Sequence, residues 1–168
     1  AMEELGIETG ITTKADNDYY VEDCTVETDQ LAFIPDEYID INAEKIRIYK
    51  QLDSLKSDKE LDRYALQIED RFGRLPIEVK NLFDVVKIRN LGISKGFEKI
   101  IIKNGLQIMF FVNNPLTGYY QSAAFGRIIE KINEGSTDFV FVQKDGKLRI
   151  KARNVDSLGK ALRNLERL

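Results

Sequence analysis

Apolar residues between Asp40 and Leu91 recur at intervals of three and four, the spacing that gathers them on one side of a helix. Ile46, Tyr49, Leu52 and Leu55 make one stripe and predict a helix from about Asn42 to Leu55. Ser57 followed by Glu60 has the form of a capping box and opens a second helix striped by Leu61, Tyr64, Ala65, Ile68 and Phe72, with Gly73 at its C-cap. Pro76 fits the first turn of a third helix carrying Val79, Leu82, Phe83, Val86 and Leu91 and ending near Gly92. Farther on, the period drops to two. Lys99–Lys103 and Leu106–Val112 flank Asn104-Gly105, and Phe139–Lys144 and Lys147–Ala152 flank Asp145-Gly146; both dipeptides accept the positive φ of a tight hairpin turn. Ser122 caps a helix with Phe125, Ile128, Ile129 and Ile132 on one face, and Leu158, Ala161, Leu162, Leu165 and Leu168 form a closing helix.

Ahead of these elements, Val21–Phe33 alternates weakly, is rich in Val and Thr, and predicts an edge strand stopped at Ile34-Pro35. Residues 1–20 are acidic and show no sustained period. The expected organisation is an acidic linker or incoming arm over 1–25 and a single α+β domain over 26–168. That domain has an N-terminal strand and helical segment, then a hairpin–helix–hairpin–helix antiparallel sheet with the helices packed on one face. The Ala1-Met2 start running straight into acidic residues reads as part of something longer.

Composition narrows the classes. A chain of 168 residues, 43% hydrophobic and 32% charged, can bury a sizeable core, and no apolar run approaches the roughly 20 residues a membrane-spanning helix needs, so a cytoplasmic protein without membrane contact is expected. The net charge of −3 is unevenly spread: residues 1–40 hold twelve acids against one base, Lys14, and leave a basic remainder. That asymmetry raises nucleic acid or an acidic protein as a partner of the body.

Catalytic chemistry is thin. With no histidine and a lone cysteine, Cys24, the Ser/His/Asp and Cys/His devices are excluded, as are a disulfide within the chain and a His/Cys metal site. Gly92-Ile-Ser-Lys-Gly96 lacks phosphate-loop spacing and lies between helix and strand rather than strand and helix, so helix termination accounts for it better. Asp16, Asp18, Glu22 and Asp23 lack the spacing and turn glycine of a calcium loop and read as solvated charge. Glu69 and Asp70 are adjacent, about 100° apart on a helix, and cannot converge on one bond. The expectation is a domain with no catalytic residue, no metal site and no cofactor of its own.

Three features can carry binding. Gln67, Asp70 and Arg71 lie side by side on a polar helix face; the plainer reading is a local solvated Asp–Arg network. Lys147, Arg149, Lys151 and Arg153 fall on one side of a strand, opposite Leu148, Ile150 and Ala152, and make either the wet face of a sheet or a nucleic-acid contact, although no aromatic residue interleaves with them along the strand. Pro115–Tyr120 reads as a loop exposing Tyr119 and Tyr120 that packs over a sheet edge.

Two segments resemble a known family. Leu31-Ala-Phe-Ile-Pro35-Asp-Glu-Tyr38-Ile39-Asp, followed by Lys45-Ile-Arg47-Ile-Tyr49-Lys50-Gln-Leu52, and then Asp70-Arg71-Phe72-Gly73-Arg-Leu75-Pro76, are similar to the C-terminal domain of bacterial transcription-repair coupling factors. The likeness covers about residues 26–92, and residues 97–168 match in their order of elements. The resemblance implies a non-catalytic regulatory domain inside a DNA translocase whose ATP- and Mg-dependent motor, polymerase-binding and DNA-gripping parts lie elsewhere. In the family this domain packs on an N-terminal UvrB-like domain of the same polypeptide and masks the surface that recruits UvrA until stalled RNA polymerase is engaged. It implies contact roles for Asp70 and Arg71, with Gln67 where the family usually has an acid, and structural roles for Pro35, Tyr38, Phe72, Gly73 and Pro76. The alternative from another class is an accessory nucleic-acid-binding module using strand 147–153.

Overall fold

The computed structural model describes residues 20–114, 118–135 and 137–168. Most of the expected acidic arm, with Asp16 and Asp18, lies outside them, as do residues 115–117 of the expected loop. In chain order the elements are β1 (Thr25–Thr28), α1 (Asn42–Ser54), α2 (Asp58–Phe72), α3 (Ile77–Lys95), β2 (Phe97–Lys103), β3 (Leu106–Phe111), a single 3-10 turn (Tyr119–Gln121), α4 (Ala123–Asn133), β4 (Val140–Lys144), β5 (Lys147–Ala152) and α5 (Leu158–Glu166). This is the expected α+β fold.

Local signals place most boundaries. Ser57, Ser122 and Ser157 each accept a hydrogen bond from the backbone N–H three residues on, opening α2, α4 and α5. Ser57 also donates to Glu60 Oε1 at 2.9 Å, so the glutamate binds the cap hydroxyl in place of the cap N–H that a capping box uses. Pro76 is the N-cap of α3 rather than a first-turn residue. Both hairpins turn on left-handed pairs, Asn104 (φ 54°) with Gly105 (φ 74°) and Asp145 (φ 54°) with Gly146 (φ 75°).

Two expectations are corrected. The strand expected over Val21–Phe33 shrinks to the four residues of β1, because side chains capture the backbone around it: Asp23 accepts from Cys24 N at 2.8 Å and Thr28 from Gln30 N at 3.0 Å. It pairs parallel to β2, Thr25 opposite Lys99 and Thr28 opposite Ile102, so the sheet is mixed and five-stranded, ordered β1-β2-β3-β5-β4, with α1–α3 as the long crossover a parallel pair needs. Second, α3 does not stop at Gly92. A Cβ there would lie 2.8 Å from Cys24 Sγ and 2.9 Å from Ile100 Cδ1, so Gly92 lets the helix approach the sheet; Gly96, at φ 88°, ends it.

The apolar residues bury in two clusters. Ile34, Ile39, Ile48, Leu52, Leu61, Ile68 and Leu75 gather around Val79, Phe83 and Val86 of α3. Ile88 and Ile93, farther along α3, join Ile100, Met109, Phe111, Phe125, Ile128, Ile150, Leu158 and Leu165 between the helices and one face of the sheet. Arg89 of α3 holds Asp23 at 2.7 Å and Asp53 at 3.2 Å, fastening the approach to β1 onto the helical half.

Asp84 of α3 is half-buried, and desolvation raises its pKa against the pull of Lys87 and Arg163, with Asp62 and Glu166 adding to the rise. The folded chain therefore holds this proton more tightly than the unfolded chain, and stability is lost as pH rises from the unfolded value of about 3.9 through the higher folded one. Asp84→Asn is expected to raise the thermal midpoint at neutral pH and leave it unchanged near pH 3, where both chains are neutral at that position. A difference that persisted at pH 3 would assign the effect to packing.

Candidate protein-docking face and basic sheet face

Helix α2 is held at both ends. Ser57 caps its start, and Gly73, at φ 97° and ψ −177°, donates to Glu69 O at 2.8 Å and takes the chain out of the helix. Tyr38 donates to Gly73 O at 2.6 Å, its ring 6.2 Å from that of Phe72. Burial, then the nearby Glu69 carboxylate, raises the Tyr38 pKa and keeps its hydroxyl a donor. Pro35 is buried, and its carbonyl accepts from Tyr38 N and Ile39 N at 3.0 and 3.1 Å, forming the turn that presents Tyr38. Pro35, Tyr38, Phe72, Gly73 and Pro76 thus sit around the C-terminal end of α2.

The polar face does not form the Asp–Arg network expected. Arg71 reaches from α2 to α1, where Nη2 and Nη1 grip the two oxygens of Glu44 at 3.0 and 3.2 Å, and its guanidinium lies 4.8 Å from the Phe72 ring centroid. Glu44 also takes Arg47 at 3.5 Å. With Tyr64 and Gln67 these residues line a shallow recess of about 130 Å³. Asp70 is exposed and makes no ion pair among the described residues. One turn earlier, Leu66 is 68% exposed, off the buried stripe and at the i, i+4 position to Asp70. Glu44 and Leu66 escape the sequence reading. Only the off-stripe position of Leu66 was visible beforehand, whereas Glu44 meets Arg71 across 27 residues of chain.

On the sheet, the backbone register puts Lys147, Arg149 and Lys151 on the side opposite Leu148, Ile150 and Ala152, while Arg153 lies just past the end of β5. None of the four cations makes an ion pair among the described residues. The aromatic that is missing along β5 stands on its neighbour: Phe110 of β3 pairs with Arg149, whose guanidinium carbon lies 5.0 Å from the ring centroid, and Lys99 Nζ lies 5.9 Å from it.

Other candidates carry no chemistry. Cys24 is buried, and desolvation, then the Asp23 charge, pushes its thiol up to about 12, so it stays protonated and unreactive near neutral pH. Among the described residues no group of three His, Cys, Asp or Glu side chains could hold a metal ion, and no helix is long and apolar enough to cross a membrane. Tyr119, expected in an exposed loop, is buried against Phe111 and Phe125 with its hydroxyl donating to Lys95 O, and Tyr120 is half-buried. Each finds a backbone acceptor, which is what lets a phenol pack inward.

Residues 28–122 match the family model of the TRCF domain. The chain belongs to the TRCF domain family. Transcription-repair-coupling factors align with it at 37% identity over 86 residues in Rickettsia prowazekii and 31% over 93 residues in Escherichia coli, covering 51% and 52% of this chain. The chain spans about 8% of the length of those relatives. A crystal structure of the C-terminal domain of a transcription-repair coupling factor superposes with a TM-score of 0.70, covering 86% of this chain and 88% of the other at 17% identity, and shows the same fold. The matched span runs from the last residue of β1 through α1–α3 and the first hairpin, and so includes Pro35, Tyr38, Phe72, Gly73 and Pro76 around the C-terminal end of α2.

Proposed function

We propose that this TRCF domain is an intramolecular regulatory lid in a cytoplasmic transcription-coupled DNA-repair translocase. It docks through α2 on the N-terminal UvrB-like domain of the same polypeptide and masks the surface that recruits UvrA until stalled RNA polymerase is engaged. Support comes from the family and from one observation: Asp70 is an exposed carboxylate with no ion-pair partner among the described residues, beside an exposed Leu66, on a helix fixed at both ends. A free charge next to an apolar anchor suits a polar, releasable interface, and tethering supplies the effective concentration a weak interface lacks alone. Gln67 keeps hydrogen bonding but adds no charge, which favours easy release. Arg71, already gripped by Glu44, contributes by shaping the recess beside Asp70 more than by offering a free cation.

Calorimetric titration of this domain against the isolated N-terminal domain of its parent tests the reading. Asp70→Arg is expected to weaken binding at least tenfold, and Gln67→Glu to strengthen it. Equal affinity of the parent chain and Asp70→Arg would place the interface elsewhere.

A further inference from the structure

All three helices that pack on the sheet lie on one side of it. Buried Ile100, Gln107, Met109, Phe111, Ile150 and Ala152 point toward them. The other side is uncovered and patterned. The register runs Lys99–Phe110–Arg149–Val142 across β2, β3, β5 and β4 in one row and Ile101–Ile108–Lys151–Val140 in the next. Each apolar member of these rows is half-exposed or, for Val140, 58% exposed. We propose that this open sheet face, centred on the Phe110–Arg149 stack and extended by Lys151 and Arg153, is a platform for single-stranded nucleic acid.

Charge argues for an anion. Toward β1, Lys99 and Lys103 are answered by Glu27 at 3.4 and 3.7 Å, but Lys147, Arg149, Lys151 and Arg153 have no carboxylate partner among the described residues. Lys151 and Arg153 continue into an open recess of about 570 Å³, which Lys160 of α5 also lines, with Asp138 as its acid and Asn154, Val140 and Val142 completing it. Three cations converge there against one carboxylate, room and charge enough for backbone phosphate.

Shape argues for a single strand. Five strands at about 4.8 Å spacing present a face about 19 Å wide, too broad for the roughly 12 Å major groove of a duplex. Unpaired bases can instead lie flat on it. An arginine laid on an aromatic ring offers a π surface on which a base stacks irrespective of sequence, and the aliphatic side chains around it shelter the neighbouring base. An acidic peptide would satisfy the cations but would leave the stack without a use.

The test is fluorescence anisotropy of the intact chain with labelled single-stranded DNA and RNA of about 16 nucleotides, a duplex of the same length, and an oligoglutamate peptide. Both single strands are expected to bind more tightly than duplex or peptide. The slope of log K against log salt should lie near −2 to −3, about −0.7 for each of three to four phosphates neutralised. Lys151→Glu should lower affinity and flatten that slope. Phe110→Leu, which keeps an apolar side chain and removes the π face, should weaken single-strand binding about tenfold with little change in slope. Thermal melts establish that both variants fold; if Phe110→Leu does not, Arg149→Lys, which retains charge and loses the planar stack, takes its place. Asp70→Arg, on a different element, should leave binding unchanged, which separates this surface from the lid. Duplex or oligoglutamate binding as tightly as the single strands, or full affinity in Phe110→Leu (in Arg149→Lys where that variant stands in for it), would overturn the proposal.

Discussion

Replacing Gly96 by alanine is expected to cost about 3–5 kcal/mol of folding stability. Gly96 ends α3 in the left-handed region, at φ 88° and ψ 24°, which charges an L side chain about 1–2 kcal/mol before any contact is considered. A Cβ at this position would then lie 2.0 Å from Tyr119 Cε1 and 2.5 Å from Cζ. The ring has no free direction to move: it is fully buried, its hydroxyl donates to Lys95 O at 2.6 Å, and Tyr20, Phe125 and Tyr120 stand within 5.4 Å of it between centroids. Relief requires α3 and the turn before α4 to part, so the strain spreads into the larger cluster. Urea denaturation monitored by circular dichroism should show a much lower midpoint. The same swap at Gly126, helical and with open space around it, should be neutral or mildly stabilising. Equal midpoints for the two alanine variants would sink this account.

Gln107→Leu should lose about 2–4 kcal/mol, although it replaces a polar residue in the core with an apolar one of similar size. Gln107 is fully buried and spans β3 to α5: its Nε2 donates to Ala161 O at 3.0 Å, and its Oε1 accepts from Asn164 Nδ2 at 3.1 Å. Leucine would leave the buried Asn164 amide without that acceptor, and the desolvation of an unpaired group is what costs. The decisive comparison is with Gln107→Leu/Asn164→Leu. Removing both partners should recover part of the loss, giving a coupling in a thermal-melt double-mutant cycle that simple additivity cannot produce. Additive losses would mean that the two amides do not act together.

That network also marks how far the sequence could be read. The existence of the helices was legible from apolar spacing, with the Ser57 cap and Gly73 stop bounding α2, although in α1 the buried pair is Ile48 and Leu52 while Ile46 and Tyr49 of the expected stripe are exposed. Both hairpins were legible because each turn needs two left-handed residues in a row. Alternation in β3 could not say which side faces inward, since Leu106, Ile108 and Phe110 are as apolar as Met109 and Phe111; the side carrying Gln107 is the buried one. The parallel pairing of β1, the grip of Glu44 on Arg71 and the stacking of Arg149 on Phe110 all depend on which distant segments meet. Local pattern carries no information about that. The family signature located the C-terminal end of α2, yet it could not tell that Arg71 is spent within the domain while Asp70 stands free.

Helix α3 gives Val79, Phe83 and Val86 to one cluster and Ile88 and Ile93 to the other. Its 19 residues make a rod about 28 Å long, and both clusters grip it with side chains less than one turn apart at the crossover. Neither half can slip along or rotate about this rod without dragging the other's packing. A pull on Asp70 at the α2 face is therefore felt at the sheet as displacement of the whole body rather than bending within it. For the lid proposed above, a helix shared between both clusters would make the domain a lever that carries a load from one face to the other.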